Sequence, residues 1–419
     1  MEEPEITPRK LLIAVTCLLG ATFVPYVEAT ISPLMMLPMT EEFGWTRTQF
    51  SLASTFFFIL GTASVLLFGK FADRYGPRLI LLFGSVCGGA TMLLLSQQNA
   101  ELWRLYLAYA LLGACGSSGL GYTRIIGTLF SRHRAKALAI FGGESIVALG
   151  TLPLLTNALN VHLGWRGTYV VYAVVMFALT PVIHLVMRGP GLNQGSRSKP
   201  TGVAAVATGT PPPVPEGMTP AQIRRDRVFW LIVLTAVLGG GFNVGFTAHI
   251  IAAITDRGFS SDAAAGVLSA GTLLGLIGAV SIGFALDRSR TARIMSLYGM
   301  ISALGISLFA VASLTFGGLP LLVTGLAVQR IAMGALPAGT NYLQTRFVGM
   351  RSFGEAFAMQ VVAQGIAMAL TPPLFGLLFE WTGSYTPMYW SVLVAALAGA
   401  GVYLMLGPYR FGTVAAKPR

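Results

Sequence analysis

Charged side chains are scarce in this sequence: they make up 11% of its 419 residues, against roughly 25% in ordinary soluble domains. That shortage excludes an ordinary soluble enzyme. Acids are the scarcer sign, 16 against 28 Lys and Arg. Cysteine is limited to Cys17, Cys87 and Cys115, each inside an apolar stretch, so the three read as small packing residues rather than a disulfide or metal set. The four histidines, His133, His162, His184 and His249, are dispersed, and no His-Glu-x-x-His occurs, so the helical zinc pattern is missing. Gly69-Lys70 is followed by Phe71 rather than Ser or Thr, so there is no phosphate-cradling loop to drive work with ATP. No enzyme activity, cofactor or metal is expected.

Apolar residues fill the space that charge leaves. They reach 54%, with a mean hydropathy of +0.70 and with 50 Gly, 25 Phe and 16 Met spread along the chain. In a bilayer only helices and closed barrels satisfy their own backbone hydrogen bonds, and apolar runs of about 20 residues exclude the barrel. Charged and Gly/Pro punctuation predicts helices over 10–38, 47–69, 78–97, 102–128, 136–160 and 166–187, then over 227–254, 261–286, 292–316, 319–346, 353–379 and 386–407. Between the two sets, 188–226 contains Gly-Pro-Gly, Ser-Arg-Ser-Lys-Pro and Pro-Pro-Pro-Val-Pro. Such a composition cannot bury a core and reads as a flexible linker.

The net charge of +12 raises nucleic acid as a partner until its distribution is read. With the first helix starting in the cytoplasm, 22 Lys and Arg fall at the termini and cytoplasmic turns, while Arg47, Arg104, Arg166 and Arg257 fall outside. This is the positive-inside signature, with both termini cytoplasmic, and nucleic acid is not needed to explain the charge. The amino terminus lacks a basic region ahead of a small-residue cleavage site, so it reads as an uncleaved first helix.

The halves repeat each other. Gly69-Lys-Phe-Ala-Asp73-Arg74 is matched at an offset of 214 by Gly283-Phe-Ala-Leu-Asp287-Arg288, and Gly44-Trp45-Thr46 by Gly258-Phe259-Ser260 at the same offset. Phe130-Ser-Arg-His-Arg134 matches Phe347-Val-Gly-Met-Arg351 at 217. The expected fold is an all-α membrane protein of twelve transmembrane helices in two pseudo-symmetric six-helix bundles, 1–187 and 227–419.

Six helices plus six, the long linker, and Gly69-Lys70-Phe71-Ala72-Asp73-Arg74-Tyr75-Gly76-Pro77-Arg78 between helices 2 and 3 resemble the major facilitator superfamily over essentially the whole chain. Phe43-Gly44-Trp45-Thr46-Arg47-x-x-Phe50-Ser51 and Phe130-x-Arg132-x-Arg134-x-x-Ala137 resemble its monocarboxylate and oxalate/formate branch. That branch carries basic binding residues in helices 8 and 11, whereas 261–286 and 353–379 here contain no Lys or Arg. The resemblance implies alternating access, with Gly69, Asp73, Arg74, Gly76, Arg78, Asp287 and Arg288 as gating residues. A bland reading of the basic members is that they only set topology.

Ionisable groups at bilayer depth cost roughly 2.5–3.5 kcal/mol on insertion scales and usually face a cavity or a partner. The candidates are Glu28, Arg124, Glu144, His249 and Arg330. Arg124 and Glu144 stand ten residues on either side of Arg134, which reads as a structural ion pair between neighbouring helices. Glu28 and Arg330 each lie about ten residues, roughly 15 Å, from the external ends of helices 1 and 10. The resemblance implies that those helices line the central cavity, making Arg330 a substrate-binding residue, since a guanidinium suits a carboxylate, and Glu28 the proton-coupling group. The alternative is a permanent ion pair between them. Arg330, Gly334, Pro337 and Asn341 recur at helical intervals, and Gly239-Gly240-Gly241 loosens helix 7 before Asn243 and His249. Tyr26, Asn243, His249 and Asn341 are further substrate contacts, or else helix-to-helix hydrogen bonds; His249 is also the alternative proton carrier.

The expected function is proton-coupled secondary transport of a small organic anion, a monocarboxylate, by a monomer embedded in membrane lipid of the bacterial inner membrane. Anion exchange, drug/proton antiport and a transport-like receptor remain alternatives.

Overall fold

The computed structural model describes residues 7–23, 26–116, 118–129, 141, 144–187, 216–289, 291–314 and 318–411. These residues are almost entirely helical: α1 Pro8–Phe23, α2 Val27–Phe43, α3 Arg47–Tyr75, α4 Pro77–Ser96, α5 Leu102–Gly116, α6 Gly119–Leu129 and α7 Glu144–Val186. There follow α8 Pro220–Arg225, α9 Arg227–Ala236, a π turn Val237–Gly241, α10 Phe242–Thr255, α11 Ser261–Arg288, α12 Arg293–Leu314, α13 Leu319–Phe347, α14 Phe353–Thr382 and α15 Thr386–Met405. Among the described residues nine helices are long and apolar enough to cross a membrane.

That number differs from twelve because the first and fourth expected spans are each described as two shorter helices, on either side of 24–25 and of 117, and two other spans are merged. The first expected span is divided into α1 and α2, and the fourth into α5 and α6. The fifth and sixth run together as α7, whose Gly164 takes φ 68°, ψ 172° and so breaks the helix where two spans meet. This left-handed region admits Gly without a Cβ clash. The last residues of the expected linker are also ordered. Thr219 and Gln222 form a capping box at the start of α8, Ile223 is buried, and Met218 N–H donates to the Val348 carbonyl at 2.8 Å.

The chain forms two compact units, one of 1–201 with 248–269, the other of 202–247 with 270–419. Lipid is as apolar as Leu, so helix packing in each unit relies on close backbone approach at small residues. In the first unit α3 meets α5 at Gly61 and Gly113, where a Cβ on Gly113 would run into the Phe57 carbonyl, and Ser85 and Thr180 join α4 to α7 at 3.0 Å. In the second, Gly325 of α13 meets the Phe309 backbone of α12. Gly275 and Gly278 of α11 meet Gly334 and the Arg330 and Ile331 carbonyls of α13. Gly334 therefore spends its small size on helix packing rather than on lining a cavity. Large side chains left on the outside, such as Ile59 at 58%, Phe284 at 64% and Trp381 at 73% exposed, suit a lipid-facing surface.

Candidate functional site

Arg330 lies mid-way along α13, and only 8% of it is exposed. Its Nη1 donates to Asn243 Oδ1 at 3.1 Å and its Nη2 to Thr247 Oγ1 at 2.8 Å. Gln329 Nε2 donates to the same Asn243 oxygen at 3.1 Å. The Thr247 hydroxyl spends its one proton on the Asn243 carbonyl at 2.7 Å, which leaves its lone pairs for the guanidinium. Two polar atoms of the cluster, Arg330 Nε and Gln329 Oε1, have no hydrogen-bond partner among the described residues. No ion pair between described residues involves Arg330. Among the described residues the guanidinium is therefore held by neutral dipoles, and a buried cation without a counter-charge is costly.

Local backbone chemistry aims this cluster. The three glycines of 239–241 sit in the π turn before α10; a Cβ on each would meet, in order, Leu336, Gln364 and Ala367. A π turn frees backbone groups from the helical ladder and is frequent at functional sites. Here the Gly241 carbonyl accepts the Thr371 hydroxyl at 2.6 Å. The turn leads directly into Asn243, and one helical turn later Thr247 lies on the same face.

Of the residues singled out in the sequence, Arg330 and Asn243 are thus brought together. Asn341 is half-buried on α13, eleven residues and about 16 Å along the helix from Arg330, so it does not join the cluster. Tyr26 precedes α2, and its carbonyl accepts the Thr30 hydroxyl at 2.9 Å; it belongs to the first unit. His249 also falls in that unit, fully buried, with its Nε2 3.2 Å from Ser51 Oγ. The side chains of Glu28, Glu144, Asp73 and Asp287, and the surroundings of Gly69, lie outside the described residues. Thr247 and Gln329 were missed: Thr and Gln within a helix carry no charge signal.

The first unit holds polar contacts that the sequence reading had not assembled. Arg47, at the start of α3, pairs with both oxygens of Asp256 at 2.6 and 2.8 Å. Asn157 Nδ2 donates to Asp262 Oδ1 in the first turn of α11. Arg166 pairs with Glu42 at 2.6 Å and lies 4.0 Å from the Trp165 ring centroid, while Trp165 Nε1 donates to Glu42 at 2.7 Å. Desolvation pushes the Glu42 carboxyl up, but the hydrogen bonds from Trp165 and Arg166 and the Arg166 charge together hold it below the usual carboxylate range. Gly44, at φ 67°, ends α2, and the Trp45 ring N–H donates to the Ala100 carbonyl at 3.0 Å.

Within the Gly69 to Arg78 turn, Gly76 takes φ 85°, ψ 162° and Pro77 opens α4. Arg78 Nη2 lies 2.6 Å from His184 Nδ1 and donates to the His184 carbonyl at 3.0 Å, so it braces the end of α7, where a cation also suits the helix dipole. Arg74 and Arg288 are exposed, with the Arg74 guanidinium 5.3 Å from the Tyr75 ring.

Nine long apolar helices among the described residues, one of them carrying a buried guanidinium, fit a multi-spanning membrane protein. The family model described as Major Facilitator Superfamily matches residues 17–315. The chain belongs to that superfamily and is an integral, multi-pass membrane transporter. It is 25% identical over 407 residues to monocarboxylate transporter 13 of Bos taurus, covering 96% of this chain and 87% of the relative. It is 22% identical over 416 residues to the probable sulfoacetate transporter SauU of Cupriavidus necator, covering 96% and 94%. A 166-residue stretch is 30% identical to the multidrug resistance protein MdtG of Salmonella choleraesuis, covering 38% and 39%. A solved bacterial homolog of the human lysosomal transporter Spinster, inward-facing and unoccupied, superposes with a TM-score of 0.71 over 97% of both chains at 15% identity.

Proposed function

We propose that the chain is a proton-coupled secondary transporter of a small organic anion, a monocarboxylate, working by alternating access. The observation that carries this reading is the Arg330 guanidinium, buried among Asn243, Thr247 and Gln329 with its Nε unpartnered among the described residues. A carboxylate placed there gains a charge-assisted hydrogen bond and removes the cost of the lone buried charge. The relatives support the same substrate class: one is named a monocarboxylate transporter and another a probable sulfoacetate transporter, and sulfoacetate also carries a carboxylate.

In this reading 1–187 and 227–419 are the two six-helix bundles, joined through 188–226, with both termini on the cytoplasmic side of a bacterial inner membrane and the protein acting as a monomer. The turns containing Gly69, Asp73, Arg74, Gly76, Arg78, Asp287 and Arg288 act as gates. The Arg47–Asp256 and Asn157–Asp262 contacts part when the external side opens. Glu28 carries the coupled proton, His249 being the alternative carrier, and Arg124 and Glu144 form a structural pair.

The test is uptake of labelled lactate and a panel of other carboxylates into proteoliposomes, with and without an imposed pH gradient. Saturable uptake that accumulates only with the gradient is expected. Glu28→Gln should retain exchange down a substrate gradient and lose accumulation driven by pH. Gradient-driven movement of apolar drugs with no carboxylate uptake would overturn the assignment, and intact pH-driven accumulation by Glu28→Gln would remove that residue from coupling.

A further inference from the structure

A second basic site lies away from Arg330, where α8 turns into α9. Arg225 and Arg227 flank Asp226 there, and together with Trp230, Leu231 and Leu234 they line an open groove of about 300 Å³. Arg227, Trp230, Leu231 and Leu234 recur at the i, i+3, i+4, i+7 spacing that makes one stripe of a helix.

The nearby acids do not neutralise these two cations. Asp226 accepts from Phe229 N–H at 3.0 Å as the cap of α9 and pairs with Arg410 at 2.9 Å. Glu355 pairs with Arg224 at 2.9 Å. Arg225 and Arg227 are exposed, and among the described residues neither meets a carboxylate. Trp230 is held in place by its ring N–H, which donates to the Arg224 carbonyl at 2.9 Å, yet it remains 45% exposed. Leu234 is 41% exposed one turn further into the span that begins at Arg227. Among the described residues the groove therefore has two positive charges without a carboxylate at its mouth and an apolar wall running along a membrane-spanning helix.

We propose that this groove binds an anionic phospholipid. Its phosphodiester sits between the Arg225 and Arg227 guanidiniums, and one acyl chain lies along Trp230, Leu231 and Leu234. The two charges without acids select an anionic headgroup over a zwitterionic one, which brings its own ammonium. The apolar wall selects a lipid over a soluble phosphate, for which it offers nothing. Trp at the boundary between headgroups and chains is also where its amphipathic ring is favoured.

The test uses the full-length protein in detergent, titrated with phosphatidylglycerol or phosphatidylcholine and read by native mass spectrometry. Each basic side chain near an anionic lipid contributes about fivefold, so Arg225→Gln/Arg227→Gln should weaken retention of phosphatidylglycerol by roughly twenty-five-fold and leave phosphatidylcholine unchanged. The difference should shrink at about 1 M salt, where screening reaches about 3 Å. A second measurement leaves the arginines intact. Brominated phosphatidylglycerol should quench a component of the fluorescence that is missing in Trp230→Phe, and brominated phosphatidylcholine should quench it far less. Equal retention by wild type and the double variant, no preference between the two lipids, absence of the Trp230 component, or displacement by glycerol phosphate as effective as by the lipid would each overturn the proposal.

Discussion

At the helix ends of the first unit, Arg47 and Arg166 close on the carboxylates of Asp256 and Glu42, and Arg78 closes on the ring and carbonyl of His184. In the second unit, Arg330 sits in the middle of α13 and ends on the amide of Asn243 and the hydroxyl of Thr247. The side chains are the same, but the charge bookkeeping is opposite. A partly exposed ion pair such as Arg47–Asp256, at 17% and 33% exposure, is satisfied as it stands and contributes modestly. A guanidinium at 8% exposure has only neutral partners among the described residues, so in the proposed reading its counter-charge arrives with the substrate. If Arg330 binds the substrate as proposed, it is the charge of the partner, not burial alone, that separates it from the paired arginines.

The sharpest way to break that comparison is to alter Arg330. Arg330→Ala and Arg330→Lys should both abolish anion uptake, with losses of about 100-fold or more, because a desolvated cation opposite an anion is worth several kcal/mol and the fork geometry is part of it. Membrane insertion and detergent melting behaviour should persist, and normal uptake kinetics in Arg330→Ala would remove it from the site. Asn243→Ala comes next. It deletes the oxygen shared by Arg330 and Gln329, so the fork loses its aim, and KM for the carboxylate should rise about tenfold, the worth of one net hydrogen bond. An unchanged KM would mean that Asn243 does not orient the arginine.

Smaller effects are expected among the completed pairs. Arg47→Ala and Asp256→Ala should each lower stability by about 1 kcal/mol or less, and the charge swap Arg47→Asp/Asp256→Arg should recover part of it. If both single variants melt like wild type, the pair has no structural role. The smallest effect belongs to Glu42, whose carboxyl is held below its usual range. A group whose folded-state pKa is lowered contributes stability above the ordinary carboxylate value and loses it as pH falls through the folded one. Melting temperatures of wild type and Glu42→Gln should therefore differ slightly at pH 7, on the order of a degree, and converge below about pH 4. A gap that widens on acidification would reverse the assignment.

Much of this was legible in the sequence, for reasons that also mark its limits. Arg330 stands out because a charge at bilayer depth is rare, and Asn243 because a glycine run precedes it. Thr247 and Gln329 do not stand out: a helical Thr ordinarily bonds the carbonyl four residues back, and Thr247 does so as well. Asp256 and Asp262 carry no mark in the sequence, and only the structure sets Arg47 and Asn157 beside them. Gly334 shares the spacing of a lining face with Arg330 yet meets the Gly275 backbone, since periodicity gives a face but not what that face touches. The change from α1 to α2 comes beside Pro25 and that from α5 to α6 at Gly116-Ser-Ser-Gly119, punctuation that a reading by apolar length carried straight through. The capped start of α8 could have been found, because Thr219-x-x-Gln222 is a capping-box pattern within the stretch read as linker.

The central claim, that Arg330 is a cation completed by the transported anion, is tested most directly by equilibrium binding. Purified wild type, Arg330→Lys and Arg330→Ala would be titrated calorimetrically with the carboxylate that proteoliposome uptake identifies, with Arg47→Ala as the comparison arginine. Saturable binding by wild type and Arg47→Ala, and a loss of about 100-fold or more in both Arg330 variants, is the expected result. Equal affinity in wild type and Arg330→Ala would contradict it.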